Sequence, residues 1–377
     1  MNFTLSPEQK MLQKVVREFA ENEVAPIAAE IDQTHRFPKE TFDKMAKVGF
    51  TGMNIPVEYG GAGADELSKV IVISELAKKC ASTAVILSVH TLFNFIITKF
   101  GNDEQKNKYL RSIVKFPKLG GFALTEPNAG SDAGAVKTTA VVDGDDYILN
   151  GTKCFITNGS GDYFIVICLT DPSKGIKGLS AILVEKGTPG MSVGKIEEKM
   201  GICASETVEL IFDNCRVPRE NLLSKEGDGF KIAMVGLDTG RISIASQALG
   251  IAEGALDESV KYMKERVQFG KPISMQQGLQ WYIADMATKV EATRALIYHA
   301  AYAKQRGESF SKIAAMAKYF ASDTAEFVTS QAIQIHGGYG YMKDYPIERM
   351  YRDARITKIY EGTTEVQKIV IARELLK

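Results

Sequence analysis

Two short apolar runs decide the fold class of this chain: Tyr163-Phe164-Ile165-Val166-Ile167-Cys168-Leu169 and Leu179-Ser180-Ala181-Ile182-Leu183-Val184. Both are rich in β-branched and aromatic residues and are bounded by Gly, Pro, Asn or Asp, which is typical of strands. They fall in a segment, 119–226, where such runs repeat. The residues on either side of this segment follow the period of helices instead. The sequence therefore predicts a helical region, a β region and a second helical region.

The helical regions carry their own start signals and periodicity. Ser6 can cap a helix that has Pro7 at its first position, and Gln9 can complete a capping box. After the β segment, apolar residues recur every three or four positions from Ile242 to Val267, as one stripe on a long helix. Because one hydrophobic core rarely exceeds ~250–300 residues, we expect two or three domains. The predicted α+β multidomain fold has an N-terminal α-helical domain, a middle β-barrel-like domain and a C-terminal four-helix bundle, at 1–118, 119–226 and 227–377.

Composition and charge exclude several classes of function. Lysine plus arginine and aspartate plus glutamate both number 46, so no positive field favours nucleic acid. The chain has no G-x-G-x-x-G and no G-x-x-x-x-G-K-[ST] motif, and its order of elements differs from that of a doubly wound nucleotide-binding fold. The five cysteines form no C-x-x-C pair and no cluster with histidine. We therefore expect no metal site.

The N-terminus carries no recognisable targeting signal. The segment 1–7 lacks a basic-then-apolar signal peptide and an arginine-rich transit sequence. We expect no membrane insertion, because no apolar run is expected to reach the ~18 residues that a bilayer span needs. The odd number of cysteines favours reduced thiols. The chain is therefore predicted to be cytoplasmic.

Five motifs join glycine, aromatic and charged residues in segments that can approach a ligand closely or place a carboxylate next to it. They are Phe122-Ala123-Leu124-Thr125-Glu126-Pro127-Asn128-Ala129-Gly130-Ser131-Asp132, Phe155-Ile156-Thr157-Asn158, Glu265-Arg266-Val267-Gln268-Phe269-Gly270-Lys271-Pro272, Gln334-Ile335-His336-Gly337-Gly338-Tyr339-Gly340 and Ile359-Tyr360-Glu361-Gly362-Thr363-Thr364-Glu365. In order and spacing they resemble the acyl-CoA dehydrogenase family, most closely its short-chain, butyryl-CoA type. The resemblance covers essentially the whole chain.

The resemblance implies an enzyme with FAD as its cofactor. Its reaction would remove hydrogen from both carbons next to an acyl-CoA thioester and give a trans-2-enoyl-CoA. Glu361 would take the α-proton, while the β-hydrogen passes as hydride to flavin N5 and electrons continue to an electron-transfer flavoprotein. Some relatives carry their base near Gly240 on the long helix, and this chain has none at that position. Glu361 is therefore the only base at a family position.

The resemblance also assigns ligand contacts residue by residue. At one of these positions many relatives carry Trp, whereas this chain has Phe155, which keeps the ring but loses the indole N–H. For the acyl-CoA, the implied contacts are Ser131, Asp238, Arg241 and Gly362. For FAD, they are Phe122, Leu124, Thr125, Gly130, Ser131, Phe155, Thr157, Arg266, Phe269, Gln277, Gln334, Gly337, Gly338, Thr363 and Glu365. In the family the loop around Gly337 reaches the FAD of a neighbouring subunit, which implies a homotetramer built as a dimer of dimers.

Each motif also has an ordinary structural interpretation. Glu361 can be a solvated helix end, Phe155 a core aromatic, and the turn at 122–132 a plain surface loop. Arg266 can pair with the adjacent Glu265, and Asp238 with Arg241 as an i, i+3 ion pair. His336 can be structural or a ligand contact, and both options stay open.

Three other functions compete with the dehydrogenase. One is an enoyl-CoA reductase that works on crotonyl-, acryloyl-, aryl-acryloyl- or alicyclic enoyl-CoA with the same residues. The others are an acyl-CoA oxidase, which usually has a much longer chain, and a non-enzymatic CoA-binding protein, which the presence of Glu361 disfavours. The bulky Phe93 and Phe95 are expected to line or back the acyl pocket, which favours a short or compact acyl group.

Overall fold

The computed structural model describes residues 4–377. Met1–Phe3, which belong to the segment 1–7 interpreted above as free of a targeting signal, lie outside the described residues. The chain opens with helices, and the first of them has the predicted capping box of Ser6 and Gln9 with Pro7 at its start. Two π-helical turns, Ala20–Val24 and Lys106–Leu110, interrupt the series. The helices are α1 (Pro7–Phe19), α2 (Ala28–Thr34), α3 (Lys39–Lys47), α4 (Glu66–Ala77), α5 (Ala81–Phe100), α6 (Asp103–Gln105) and α7 (Arg111–Lys115).

A mixed eight-stranded sheet follows. Its strands are β1 (Gly120–Ala123), β2 (Thr139–Asp143), β3 (Asp146–Thr157), β4 (Tyr163–Leu169), β5 (Leu179–Glu185), β6 (Met191–Ile196), β7 (Thr207–Pro218) and β8 (Leu222–Leu223). The order is β6-β7-β3-β2-β4-β5-β8, and β1 pairs with β4 in parallel. Both apolar runs that predicted strands are strands, β4 and β5, and they pair antiparallel over their whole length.

The chain returns to helices after β8. They are α8 (Gly229–Glu265), α9 (Gln277–Gln305), α10 (Ser311–His336), α11 (Ile347–Ile356) and α12 (Thr364–Leu375), with a two-stranded ribbon of β9 (Val267–Gln268) and β10 (Lys271–Pro272) after α8. Helix α8 packs against α4, α5, α9 and α10. The predicted helix–sheet–helix architecture is confirmed.

The expected single apolar stripe on α8 is wrong in two respects. Every residue from Thr239 to Ala255 is buried, because neighbours cover this part of the helix on all sides. Val267 lies beyond the helix end, in β9, and is half exposed. A helix that is enclosed on all sides does not need a polar face, so its sequence shows weak amphipathicity there.

The expectation that no apolar run could span a bilayer needs correction. Helix α5 has 20 residues and a mean hydropathy of 1.6, which meets the length and composition of a membrane span. Of its apolar window, 89% is buried within the protein, which is the situation of an ordinary core helix. Its neighbours are α4, α8 and β1.

The helical and β regions are joined by buried polar contacts as well as apolar ones. The Asp353 carboxylate on α11 accepts a hydrogen bond from the backbone N–H of Ile202, which follows β6. The adjacent Arg352 donates to the Met200 carbonyl and to Asp32, next to the end of α2. One corner of α11 therefore holds all three regions together.

Candidate active site

Glu361 lies in the tight turn between α11 and α12. Its backbone has φ 53° and that of Gly362 has φ 90°, both in the left-handed region. For a residue with a side chain this conformation costs of order 1–3 kcal/mol, so it persists only where the surroundings enforce it. Thr363 then caps α12, since its hydroxyl accepts a hydrogen bond from the backbone N–H of Val366. The turn therefore presents the Glu361 side chain away from the axis of α12.

The Glu361 carboxylate points into the protein against α8. Its Oε2 atom is buried and has no hydrogen-bond partner among the described residues. A Cβ atom placed on Gly240 would lie only 2.5 Å from this oxygen. The solvated helix end that the sequence alone allowed is therefore wrong, and the missing side chain at Gly240 makes room for the carboxylate.

Burial and nearby cations set the ionisation of this group. Loss of hydration raises the pKa of Glu361 to about 7, although Arg241 and Lys318 oppose the shift. Arg241 forms the i, i+3 ion pair with Asp238 that the sequence allowed, and Ser311 also donates to Asp238. The Nε atom of Arg241 is buried and lacks a hydrogen-bond partner among the described residues. A carboxylate with a pKa near neutrality is suited to proton abstraction.

Two residues that the sequence interpretation missed hold the turn. The Lys318 amine donates to the Gly362 carbonyl oxygen at 2.6 Å, and Gln367 Nε2 donates to the same oxygen at 2.8 Å. Both residues are fully buried. Lys318 interrupts the buried alanine face of α10, and a lysine at a core-facing position is the signal that could have singled it out.

A polar bridge lies beside Glu361. The Tyr360 hydroxyl donates to Gln247 Oε1 on α8, and Gln247 Nε2 donates to the Ala81 carbonyl at the start of α5 at 2.9 Å. The bridge thus joins three elements next to the carboxylate. Sequence reasoning gave no indication of it, because its residues are far apart in the chain.

The predicted flavin loop at 122–132 is fastened to β3. Lys153, which is fully buried, donates to Glu126 at 2.7 Å and to the Leu124 carbonyl at 3.0 Å. The Cys154 N–H donates to the Thr125 carbonyl. Leu124 shares an apolar cluster with Leu237, one turn before Gly240 on α8. This loop and the Glu361 turn therefore approach the same part of α8.

The predicted contacts in this region differ in exposure. Leu124 is buried, whereas Gly130 and Ser131 are exposed. Phe122, Thr125 and Thr157 are half-buried, as are Asp238, Gly362 and Thr363, while Glu365 is exposed. Phe155 is 63% exposed and has φ 57°, so its interpretation as a core aromatic is wrong.

The remaining predicted FAD contacts lie at the opposite end of α8. Arg266 follows this helix and lies about 39 Å from Gly240 along its axis. Its guanidinium stacks over the Tyr339 ring at 5.6 Å and forms no ion pair with Glu265 among the described residues. The other predicted contacts of this group are exposed: Phe269, Gln277, Gln334, Gly337 and Gly338. One chain therefore separates the predicted contacts into two groups.

Packing bears on two further residues. His336 is buried, stacks on Tyr262 at 4.2 Å and hydrogen-bonds the Ala332 carbonyl through Nδ1, which favours its structural interpretation. Its Nε2 atom is buried without a partner among the described residues, so a ligand contact stays a prediction. Phe93 is also fully buried and stacks on Tyr163 of β4, so it belongs to the core and does not line a ligand pocket. Phe95 lies in a separate cleft with Glu66 and Lys304. These two phenylalanines therefore give no support for a shallow acyl pocket.

Comparison with known families identifies the chain. The models of the acyl-CoA dehydrogenase N-terminal, middle and C-terminal domains match residues 6–116, 121–215 and 227–376. The chain belongs to the acyl-CoA dehydrogenase family. The family resemblance inferred from the five motifs is confirmed, and with it an FAD-dependent oxidoreductase.

Three similar proteins illustrate the relation. The chain is 60% identical to acryloyl-CoA reductase (NADH) of Anaerotignum propionicum, in an alignment that covers all of this chain and 96% of the relative. It matches butyryl-CoA dehydrogenase of Megasphaera elsdenii with 48% identity and a TM-score of 0.98, each chain being covered completely. A chain solved in work on the electron transferring flavoprotein of Acidaminococcus fermentans is 54% identical, with a TM-score of 0.98 and complete coverage of both chains.

The exposed aromatic rings fit a cofactor with a large planar ring system. Phe155 and Phe269 are 63% and 93% exposed, and both have a positive φ. A phenylalanine left in water forgoes roughly 1.5–3 kcal/mol of burial, and the left-handed backbone adds strain. Both costs are explained if the rings are covered by a ligand or a second subunit. Among residues 4–377, no group of three His, Cys, Asp or Glu side chains could hold a metal ion.

Proposed function

We propose that this chain catalyses the α,β-dehydrogenation of a short or compact acyl-CoA to the trans-2-enoyl-CoA, with Glu361 as the base. The observation that carries the proposal is the Glu361 carboxylate, whose Oε2 atom is buried beside Gly240 without a hydrogen-bond partner among the described residues. An unpartnered buried carboxylate is costly unless a ligand uses it. The three family matches along the chain supply the reaction class.

The same turn can stabilise the charge that develops on the substrate. The α-proton of a thioester is far less acidic than a carboxylic acid, so proton abstraction requires stabilisation of the enolate oxygen. The backbone N–H of Glu361 donates no hydrogen bond to the described residues and is available to the thioester oxygen. An acyl chain that excludes water from Glu361 would raise its pKa further and strengthen it as a base.

The cofactor contacts would come from both groups of predicted residues. Arg266 and its neighbours would hold the pyrophosphate side. The flavin side would be held by Phe122, Leu124, Thr125, Gly130, Ser131, Phe155, Thr157, Thr363 and Glu365. Bound FAD would supply the hydride acceptor for the β-hydrogen. The substrate contacts are Ser131, Asp238, Arg241 and Gly362, of which Arg241 is buried next to the base.

The separation of these groups supports a homotetramer built as a dimer of dimers. The path of about 39 Å along α8 is too long for one FAD molecule to reach both groups in the same chain. A second copy that brings its Arg266 to the first copy's Glu361 side completes the site. This arrangement would also cover the exposed Phe269.

We also propose that the enzyme is cytoplasmic.

A compact acyl group is supported by the Tyr360–Gln247 bridge. The bridge ties the turn that carries Glu361 to α8 and to the start of α5. A long acyl chain that passed between these helices would have to break two buried hydrogen bonds.

A second candidate function is the reverse reaction, reduction of a short enoyl-CoA. The observation that favours it is the 60% identity to acryloyl-CoA reductase of Anaerotignum propionicum. The same side chains serve both directions, because the proton and the hydride retrace their paths. An electron-transfer flavoprotein is the proposed redox partner, in line with the relative studied with that protein.

Replacement of Glu361 by Gln tests the base directly. The variant keeps the size of the side chain and should retain FAD and acyl-CoA binding, yet it should lose at least 10²–10⁴-fold in kcat with butyryl-CoA. Glu104→Gln, an exposed carboxylate on α6, is the matched control and should match wild type. The measurement is the rate of flavin bleaching after rapid mixing. Bleaching by Glu361→Gln near the wild-type rate would show that another group is the base.

A further inference from the structure

Lys318 is a buried amine with an unusual set of partners. Its side chain is fully buried in α10, and its only hydrogen bond among the described residues goes to the Gly362 carbonyl. No carboxylate of the described residues lies within ion-pair distance of it. A buried lysine is ordinarily paired with an acidic group. Here the ammonium is directed at a backbone oxygen instead.

The carbonyl that Lys318 contacts does not need this charge for its own hydrogen bonding. Gln367 Nε2 donates to the Gly362 oxygen at 2.8 Å and to the Glu361 oxygen at 3.2 Å. A neutral donor is therefore already in place at the turn. A buried charge costs far more than a neutral donor, so a purely structural role does not explain a lysine here.

What distinguishes this turn is the reactive group that it carries. Glu361 and Gly362 both have left-handed backbone, which has to be enforced by their surroundings. The Gly362 oxygen belongs to the Gly362–Thr363 peptide group and the Glu361 oxygen to the Glu361–Gly362 peptide group, so Lys318 and Gln367 together restrain two consecutive peptide groups. These restraints hold the Glu361 backbone from its C-terminal side and thereby limit the directions of its side chain and of its N–H.

We propose that Lys318 is a positioning residue of the reaction, which holds the Glu361–Gly362 turn so that the carboxylate and the Glu361 N–H face one acyl thioester together. This inference rests on the proposed function. Lys318 acts through the backbone oxygen and does not touch the substrate. Gln367 assists it from α12 as the neutral half of the same clamp.

The charge of Lys318 has a second consequence for the base. Lys318 lowers the pKa of Glu361, and burial in turn lowers the pKa of Lys318 to about 7. Removal of the amine should therefore make Glu361 harder to ionise. The charged groups that act on Lys318 from the surrounding elements are Glu361, Arg241, Glu365 and Asp323.

Lys318→Met is the test, with Lys312→Met, an exposed lysine on the same helix, as its matched control. Steady-state rates are measured with butyryl-CoA across pH, together with FAD content. We expect kcat to fall roughly 10²-fold, the scale of losing one oxyanion-hole donor, with little change in KM. The acidic limb of kcat/KM should move to higher pH. If Lys318→Met has the same kcat and the same acidic limb of kcat/KM as Lys312→Met, the proposal is overturned.

Gln367→Met separates the two effects and covers the case in which Lys318→Met does not fold. It removes the neutral donor without changing charge, so kcat should fall roughly tenfold while the acidic limb stays in place. A wild-type kcat in this variant contradicts the clamp. Binding of a 3-ketoacyl-CoA gives an independent readout, because this ligand loses its α-proton without being oxidised. The absorbance of its bound enolate should be weaker in Lys318→Met and in Gln367→Met than in wild type. If wild type itself forms no enolate, the proposed function fails instead.

Discussion

At the scale of single residues, the contact between Gly240 and Glu361 determines where a base can reside. The two residues are 121 positions apart in sequence, yet a Cβ on Gly240 would meet the Glu361 oxygen at 2.5 Å. Any side chain at position 240 would displace the carboxylate. The absence of a side chain there is therefore a requirement of the site, which extends the sequence argument that Gly240 carries no base.

A carboxylate at position 240 should partly replace the one lost from position 361. The double variant Gly240→Glu,Glu361→Gln is expected to have a kcat roughly 10-fold or more above that of Glu361→Gln alone, because a side chain at either position enters the same buried space. Gly240→Gln in the same background is the control. The measurement is the rate of flavin bleaching by butyryl-CoA. Equal rates for the two double variants would show that the positions do not face the same α-carbon.

At the scale of elements, His90 connects helix α5 to the sheet. Its Nε2 contacts the Thr51 carbonyl at 3.0 Å, and its Nδ1 accepts a hydrogen bond from the Gly120 N–H at the start of β1. This pattern requires the neutral ring. Complete burial lowers the pKa of His90 to about 4, from an ordinary value near 6.5. The contact between helix and sheet is therefore sensitive to acid.

The sign of this effect follows from proton binding. Between pH 6.5 and 4 the unfolded chain binds a proton at His90 and the folded chain does not. The contribution of His90 to the free energy of unfolding is therefore fully present above about pH 6.5 and falls as the pH drops. The loss reaches up to about 3 kcal/mol near pH 4. His90→Gln should show a smaller decrease of apparent Tm between pH 7 and 5 than wild type, and His299→Gln should not. An unchanged decrease in His90→Gln would assign the acid sensitivity to other groups.

At the scale of the whole molecule, the two groups of predicted FAD contacts make a complementation experiment possible. Arg266→Met and Glu361→Gln should each inactivate the homo-oligomer, the first by loss of FAD binding. In a mixed dimer one site combines both intact residues. Random pairing of equal amounts therefore gives about a quarter of wild-type activity.

The measurement is the activity and FAD content of the two variants co-expressed in equal amounts and purified together through one affinity tag that both carry. Each variant expressed alone is the control, since no pairing of identical chains combines an intact Arg266 with an intact Glu361. If mixing Arg266→Met with Glu361→Gln restores nothing, both residues serve the same site within one chain. A monomer by light scattering that keeps full FAD would also contradict the shared site.

Much of the architecture follows from local sequence. The alternation of helical and strand-like segments, the cap at Ser6 and the strands β4 and β5 depend on residues close together in the chain. Such features are set by backbone sterics, capping and hydrophobic period. The five motifs likewise identified the family and Glu361. The domain boundaries and the individual ligand contacts remain predictions.

The tertiary structure alone decided which side chains meet. Lys318 and Gly362 are 44 residues apart, and Gln247 and Tyr360 are 113 apart, so no local pattern could pair them. The sequence allows Phe93 either to line or to back a ligand pocket, and its complete burial excludes only the first, because hydrophobicity does not distinguish a pocket wall from the core behind it. The sequence by itself determined the order of elements and the family. Burial, the pKa of Glu361 and the division of the cofactor contacts were decided by long-range packing, since they depend on neighbours that only the folded chain supplies.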